Sequence, residues 1–196
     1  MTPRRSLLLL CLAAMAPACS PDAAPTGAPA DLQRGGYIVY LRHAETATTP
    51  EPAVRDLSDC AWQRNLNAQG RAQAGAIGAR FRALGIPVTT LESSPFCRAV
   101  QTAELAFGRR PTIDSGLFYH VSQSPAQIAA GVAWLKERLS RPPASGNTVL
   151  VGHAPPFKGV TGIELAEGQG AIAKSNGAGS FRVVALISGD GISPPP

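Results

Sequence analysis

Two short apolar runs each end in a histidine: Tyr37-Ile-Val-Tyr-Leu-Arg-His43 and Asn147-Thr-Val-Leu-Val-Gly-His153. Arg42 directly precedes the first histidine, and Arg98 follows the segment Ser93-Ser94-Pro95-Phe96-Cys97. Guanidinium groups present forked N–H donors that match the oxygens of phosphate or carboxylate. A neutral imidazole is a nucleophile close to neutral pH. Brought to one point, Arg42, His43, Arg98 and His153 would form a donor-rich, positive site for a dianionic phosphoryl group. One imidazole could then attack phosphorus in line, with the arginines dispersing charge and no metal or cofactor required. A lone histidine at a strand end more often just turns into a loop. The adjoining Arg42 lifts His43 above that reading.

These four side chains need a scaffold. Both runs are rich in β-branched residues and apolar at successive positions, the pattern of a strand buried on both faces. Helical segments separate them, so the expected fold class is α/β, a three-layer α/β/α sandwich with a mostly parallel central sheet. In such sheets ligands bind at the carboxyl ends of the strands, where both histidines stand. Asn67 predicts the cap of a helix reaching about Leu84, with Ala74, Ile77 and Phe81 on one face and Gly85 beyond its end. Val88 to Leu91 reads as a strand. Ser94-Pro95 predicts an N-cap with proline at the first helical position, opening a helix to about Phe107 and placing Arg98 in its first turns. Ser124-Pro125 repeats that signal for a helix to about Leu139, with Ile128, Val132 and Leu135 facing inward. The stretch from Gly170 to Ile187 predicts two strands joined near Asn176-Gly177.

The chain begins with a basic segment ending at Arg4-Arg5, then an apolar stretch from Ser6 to Ala16 that is too short to span a bilayer. Ala16-Pro-Ala18-Cys19 follows, completing the layout of a secretory signal peptide with cleavage before Cys19. The expectation is therefore a signal peptide over 1–18 and a periplasmic protein, with Cys19 as the lipid attachment site of a lipoprotein in the tethered alternative. Residues 19–34, rich in proline and alanine, read as a flexible tether. Residues 35–188 form one domain, and 189–196 a disordered tail. Removing Arg4 and Arg5 lowers the net charge from +5 to +3. Of the 18 basic residues 15 are arginine, and no run of them exceeds two, so a nucleic-acid-binding stripe is not indicated.

Discounting Cys11 and Cys19 leaves Cys60 and Cys97, an even pair for which a disulfide is the default in an oxidising compartment. A thiol phosphatase would need an arginine six residues after its cysteine. Leu66 and Ala103 stand there instead. A serine hydrolase lacks its Gly-x-Ser-x-Gly elbow. A metal site is not indicated either, since the three histidines lie far apart in the sequence.

Four motifs occur in a telling order: Leu41-Arg-His-Ala-Glu-Thr46, Asn67-x-x-Gly70-Arg71-x-Gln73-Ala74, Ser93-Ser-Pro-x-x-Arg98-Ala-x-Gln-Thr-Ala-Glu104 and Val151-Gly-His153. With these the chain resembles the histidine phosphatase superfamily, whose fold is phosphoglycerate-mutase-like, over about residues 36–187. The resemblance implies that His43 is the nucleophile, that Arg42 and Arg98 bind the phosphoryl group, and that His153 completes the pocket. Ala44 stands where the family usually has glycine. A Cys60–Cys97 bond would join the loop before the first helix to the segment carrying Arg98, and is expected to fix that arginine.

The proton donor departs from the family pattern. One branch carries a glutamate on a loop after the second arginine, but residues 114–124 contain none. The other has an aspartate directly after the second histidine, where Ala154 stands. Glu45, Asp114, His120 and Glu164 remain as candidate acids. Weak acid catalysis would favour substrates with good leaving groups, such as acyl phosphates, phosphoramidates and anomeric phosphates. Two function classes follow. One is a periplasmic phosphatase acting through a phosphohistidine on a small phosphorylated substrate or a phosphorylated envelope glycolipid. The other is a non-catalytic phosphoryl-binding module. Residues 117–127 and 154–158 are expected to shape the pocket, with Lys158 as a candidate contact for a second anionic group.

Overall fold

The computed structural model describes residues 31–51, 56–120, 123–177, 179–189 and 191–193. The signal segment, Cys19 and most of the tether lie outside the described residues. Seven strands make one sheet: β1 (Ile38–Arg42), β2 (Val88–Ser93), β3 (Thr112–Ile113), β4 (Asn147–Gly152), β5 (Gly170–Gly177), β6 (Ser180–Ser188) and β7 (Gly191–Ser193). Their spatial order is β3-β2-β4-β1-β5-β6-β7. The pairings β3–β2, β2–β4 and β4–β1 are parallel, whereas β1–β5, β5–β6 and β6–β7 are antiparallel. The half that carries the two histidine runs is thus the parallel one, and a meander extends it.

Four helices cover the sheet: α1 (Ala68–Ala83), α2 (Cys97–Phe107), α3 (Pro125–Ser140) and α4 (Ala154–Thr161). Alternate residues of β1 show why two faces need covering. Val39 and Leu41 pack with Ile77, Phe81, Ala99 and Ala103 of α1 and α2. Ile38 and Tyr40 pack with Leu135, Leu139 and Phe157 of α3 and α4. Each strand residue is buried by a helix layer on its own side, which makes the three-layer sandwich. α1 and α2 approach closely because residue 78 is glycine. A Cβ there would lie 1.8 Å from the Ala106 carbonyl oxygen.

The helices expected after Asn67, Ser94 and Ser124 form, whereas α4 was not expected. Asn67 caps α1 by accepting from the Gly70 N–H, and Ser124 with Gln127 forms a capping box on α3. The expected cap of α2 is not where the sequence places it. Ser94 and Pro95 stay outside the helix, which starts at Cys97 with Phe96 at its N-cap and no side-chain cap. The Ser94 hydroxyl instead lies 2.9 Å from His153 Nε2. Two boundaries also shift. Leu32 is buried in the core and Asp31 binds Tyr37 and Lys174, so packing begins before residue 35 and the tether is shorter than expected. At the other end Gly191–Ser193 pairs with β6, inside the segment expected to be a disordered tail. Chain that completes a sheet edge satisfies its backbone groups there.

Cys60 and Cys97 form a disulfide with a Cα–Cα distance of 5.7 Å. It joins the short helical turn Cys60–Trp62 to the start of α2. Closing a loop between residues 37 apart in sequence stabilises the fold by about 4 kcal/mol on the chain-entropy account. Chemical unfolding with and without a reductant should show a loss of that order. Equal stability under both conditions would mean that the cross-link contributes nothing.

Candidate active site

The sheet register brings the two histidines together. Arg42 pairs with Gly152 at the carboxyl ends of the parallel strands β1 and β4, and each histidine is the next residue. Ser93 pairs with Val151, so the end of β2 stands on the far side of β4. The His43 N–H donates to the Gly152 carbonyl and the Ser94 N–H to that of Val151, prolonging the ladder to the site. The ring centroids of His43 and His153 are 5.3 Å apart. Arg42 and Arg98 stand beside them, so all four expected site residues meet.

Both imidazoles are buried, at 2% and 1% exposure. Burial is the main reason that each stays neutral: it lowers the pKa of His43 to about 3 and holds His153 well below the usual histidine range. The charges of Arg98, Arg42 and Arg64 push both the same way, while the Ala44 carbonyl partly opposes the effect at His43. That carbonyl lies 2.9 Å from His43 Nδ1. A carbonyl only accepts, so the proton sits on Nδ1 and the Nε2 lone pair is left for chemistry. His153 is held by Tyr40, whose hydroxyl accepts from the His153 N–H at 3.0 Å and donates to its carbonyl at 2.8 Å.

Among the described residues the guanidiniums number three, not two. Arg64 was missed by the sequence reading. Its Nη2 lies 3.4 Å from Glu167 Oε1, as does that of Arg42. Arg42 also donates to the Leu165 carbonyl at 2.8 Å. Arg98, at 1% exposure, is paired through Nη1 with Glu51 and lies 4.5 Å from the centroid of Phe96. With neutral imidazoles, these three arginines and two carboxylates leave a net charge of +1. Among the described residues, several polar atoms of the site have no protein partner. The Nε atoms of Arg42, Arg64 and Arg98, and Nδ1 of His153, are buried and unpaired. Buried polar atoms are normally satisfied, so such a cluster marks a ligand site.

The motif residues serve this arrangement. Thr102 donates to the Arg98 carbonyl at 2.7 Å and accepts from the Ala44 N–H at 2.9 Å, linking two of the motifs. Gln73 accepts from the Glu45 N–H and donates to the Glu167 carbonyl. Glu167 binds the Thr46 N–H and hydroxyl as well as Arg42 and Arg64. Gly70 allows the Glu45 carbonyl to sit against α1, where a Cβ would lie 1.9 Å from its oxygen. The disulfide reaches further than Arg98 alone. It holds the loop in which Gln63 accepts from the Cys97 N–H at 2.9 Å, and Arg64 is the next residue.

None of the four candidate acids is placed as a proton donor in this cluster. Glu45 accepts from Asn67 Nδ2 beside the start of α1. Asp114 caps the turn Ser115–Leu117 through the Gly116 N–H. Glu164 forms an exposed ion pair with Lys158. His120 lines a separate cavity of about 390 Å³ with Phe118, Gln123 and Trp134. Among the described residues, no group of three or more His, Cys, Asp or Glu side chains could hold a metal ion.

Residues 38–117 match the family model of the histidine phosphatase superfamily (branch 1). The segment contains Arg42, His43, Arg64 and Arg98. No curated protein matches by sequence. Among solved structures, the chain is similar to the protein histidine phosphatase SixA complexed with tungstate, at 15% identity and a TM-score of 0.58, covering 78% of this chain and 96% of that one. An open-reading-frame product of Mycobacterium tuberculosis aligns at 17% identity and a TM-score of 0.60, covering 78% and 97%. A phosphoserine phosphatase mutant from Entamoeba histolytica in complex with phosphoserine aligns at 14% identity and a TM-score of 0.57, covering 76% and 95%. The fold is the phosphoglycerate-mutase-like one that these solved structures share.

The buried neutral histidines make stability depend on pH. In the unfolded chain His43 charges near 6.5, but in the folded protein only near 3, so the unfolded state binds the extra proton between those values. Acidification through that window destabilises the fold, and His153 acts in the same direction. Replacing His43 with glutamine should reduce the slope of stability against pH by up to about 1.4 kcal/mol per pH unit. Urea unfolding of both proteins across the window measures this. Identical slopes would show that His43 titrates normally in the native state.

Proposed function

We propose that this protein is a phosphatase that hydrolyses a phosphomonoester or an activated phosphate through a phosphohistidine on His43. The observation that carries the reading is the 2.9 Å contact of His43 Nδ1 with the Ala44 carbonyl, which sets the tautomer. The His43 Nδ1–H is committed to the Ala44 carbonyl, which leaves an Nε2 lone pair among three guanidiniums. In this reading Arg42, Arg64 and Arg98 bind the phosphoryl oxygens, and their unpaired Nε–H groups find acceptors there. Ser94 Oγ, which accepts from the Phe96 N–H, donates its own proton to His153 Nε2. His153 then carries its proton on Nδ1, the atom without a protein partner, and donates it to a phosphoryl oxygen.

The first step forms the bond from His43 Nε2 to phosphorus as the bond to the leaving oxygen breaks. The Ala44 carbonyl supports the positive charge that develops on the ring. Water then attacks phosphorus, the P–N bond breaks, and its electron pair returns to Nε2. The binding-module alternative gives no use to a nucleophile oriented in this way.

The signal-like amino terminus supports action in the periplasm, and disulfide formation suits that compartment. The proposed substrate is a small phosphorylated molecule. A chain tethered through Cys19 would also reach a phosphorylated envelope glycolipid. With p-nitrophenyl phosphate, His43→Ala should lower kcat/KM by at least about 1,000-fold. Arg64→Ala should lower it by about 10- to 100-fold, as expected for one lost charge-assisted contact. If wild type and His43→Ala were equally inert over a panel of phosphate esters, the reading would fail.

A further inference from the structure

We propose that the cavity between the turn Ser115–Leu117 and α3 binds the leaving group of the substrate, and that it takes a neutral, hydroxyl-rich group such as a sugar ring. The proposal rests on the phosphatase reading above and names its substrate class. The cavity has a volume of about 390 Å³, and its lining includes Asp114, Phe118, His120, Gln123, Gln127 and Trp134. Small-molecule sites begin at about 300 Å³. Three consecutive residues connect it to the phosphoryl site. Phe118 lines the cavity and lies 5.0 Å, ring to ring, from Phe96, which lies 5.1 Å from His153. Tyr119 packs on His153 at 5.0 Å and stands 5.4 Å from the Arg98 guanidinium. His120, the next residue, lines the cavity again.

Unpaired polar atoms mark this cavity as a ligand site. His120 Nε2 and the Gln123 amide oxygen are buried without a partner among the described residues, and both residues line the same space. Buried polar atoms are nearly always paired, so two left open around one cavity indicate a missing ligand. The Gln123 N–H donates to the His120 carbonyl at 3.2 Å, which keeps the two residues together. The charge of the lining then narrows the ligand. Among the described residues no lysine or arginine lines the cavity, and Asp114 adds a carboxylate. Burial lowers the pKa of His120, so its ring is neutral at neutral pH. A second phosphate or a carboxylate would be repelled here, whereas hydroxyl groups find acceptors.

The two walls supply complementary groups. Phe118 and Trp134 offer apolar surface for the C–H face of a ring. Trp134 is seated by Gly116, where a Cβ would lie 2.2 Å from the indole. Gln127 accepts from the Ser124 N–H through Oε1, and its amide N–H groups are donors for a hydroxyl oxygen. A nucleobase also stacks on an indole, but it carries its polar atoms along the edge of a flat plate. Here they come from both sides, with Asp114, His120 and Gln123 on the loop and Gln127 on the helix. That arrangement suits hydroxyls radiating from a sugar ring. The substrate is thus divided by charge: the arginines hold the phosphoryl oxygens and the neutral cavity holds what is attached to them.

Steady-state kinetics test the assignment with glucose 6-phosphate, O-phosphoserine, adenosine 5′-monophosphate and acetyl phosphate, the last too small to fill the cavity. In the wild type, kcat/KM for glucose 6-phosphate should exceed that for O-phosphoserine and for adenosine 5′-monophosphate by at least about 10-fold. Gly131→Leu fills the cavity from α3, where a Cβ would meet only His120 Nε2, at 3.8 Å, and where a helix interior favours leucine over glycine. It should raise the KM for glucose 6-phosphate by about 10- to 100-fold, and at least about 10-fold more than that for acetyl phosphate. Gln123→Ala removes an amide without filling space and should act in the same direction by about 3- to 10-fold. Equal changes for both substrates in the two variants would overturn the proposal. So would a wild type that prefers O-phosphoserine or adenosine 5′-monophosphate, or that cleaves acetyl phosphate but not glucose 6-phosphate. Failure of the wild type to hydrolyse acetyl phosphate would instead reject the underlying phosphatase reading, and this one with it.

Discussion

The arrangement depends on positive charge buried at the ends of parallel strands. Arg98 is almost wholly removed from water, and Arg42 and Arg64 share a single carboxylate oxygen. Burying a guanidinium costs several kcal/mol unless partners offset it. Glu51 and Glu167 offset the charge in part and leave a net excess of one positive charge. The same burial keeps both imidazoles neutral, which is the protonation state that a nucleophile needs. A dianion entering this site meets donors already in place and ordered by the fold. Most of the second layer of residues, including Tyr40, Gln73, Thr102 and the disulfide, exists to hold that unfavourable cluster in position.

Much of this was legible in the sequence because local rules and the parallel-strand rule act together. Asn67 and Ser124 are caps in the structure as expected, and the histidine runs are adjacent strands whose ends meet. The error at Ser94 has a physical cause. A serine before proline satisfies the local preference for an N-cap, but the buried His153 ring competes for the same hydroxyl, and the tertiary contact prevails. Leu32 and the strand Gly191–Ser193 were missed because short segments with little periodicity declare themselves only through the partners that cover them.

The overlooked members of the site share a different feature. Arg64, Glu167 and Glu51 lie on loops, and nothing in their immediate sequence marks them. Glu167 arrives because β5 pairs antiparallel with β1, placing Gly168 N–H on the His43 carbonyl at 2.9 Å. Arg64 arrives because Cys60 and Gln63 both anchor its loop to the first residue of α2. The position of Cys60 was the available signal: a cross-linked cysteine four residues before an arginine delivers that arginine near its partner. The candidate acids drawn from sequence have local partners: Glu45 binds Asn67, Asp114 the Gly116 N–H and Glu164 Lys158.

The proposed reaction depends on covalent chemistry at one nitrogen. Acid-labile phosphate trapped on the protein during turnover, followed by peptide mapping at alkaline pH, tests it most directly. The predicted result is one phosphoryl group on His43, bonded to Nε2, absent after His43→Ala. Turnover of the substrate with phosphate trapped on another residue, or with none on His43, would contradict it.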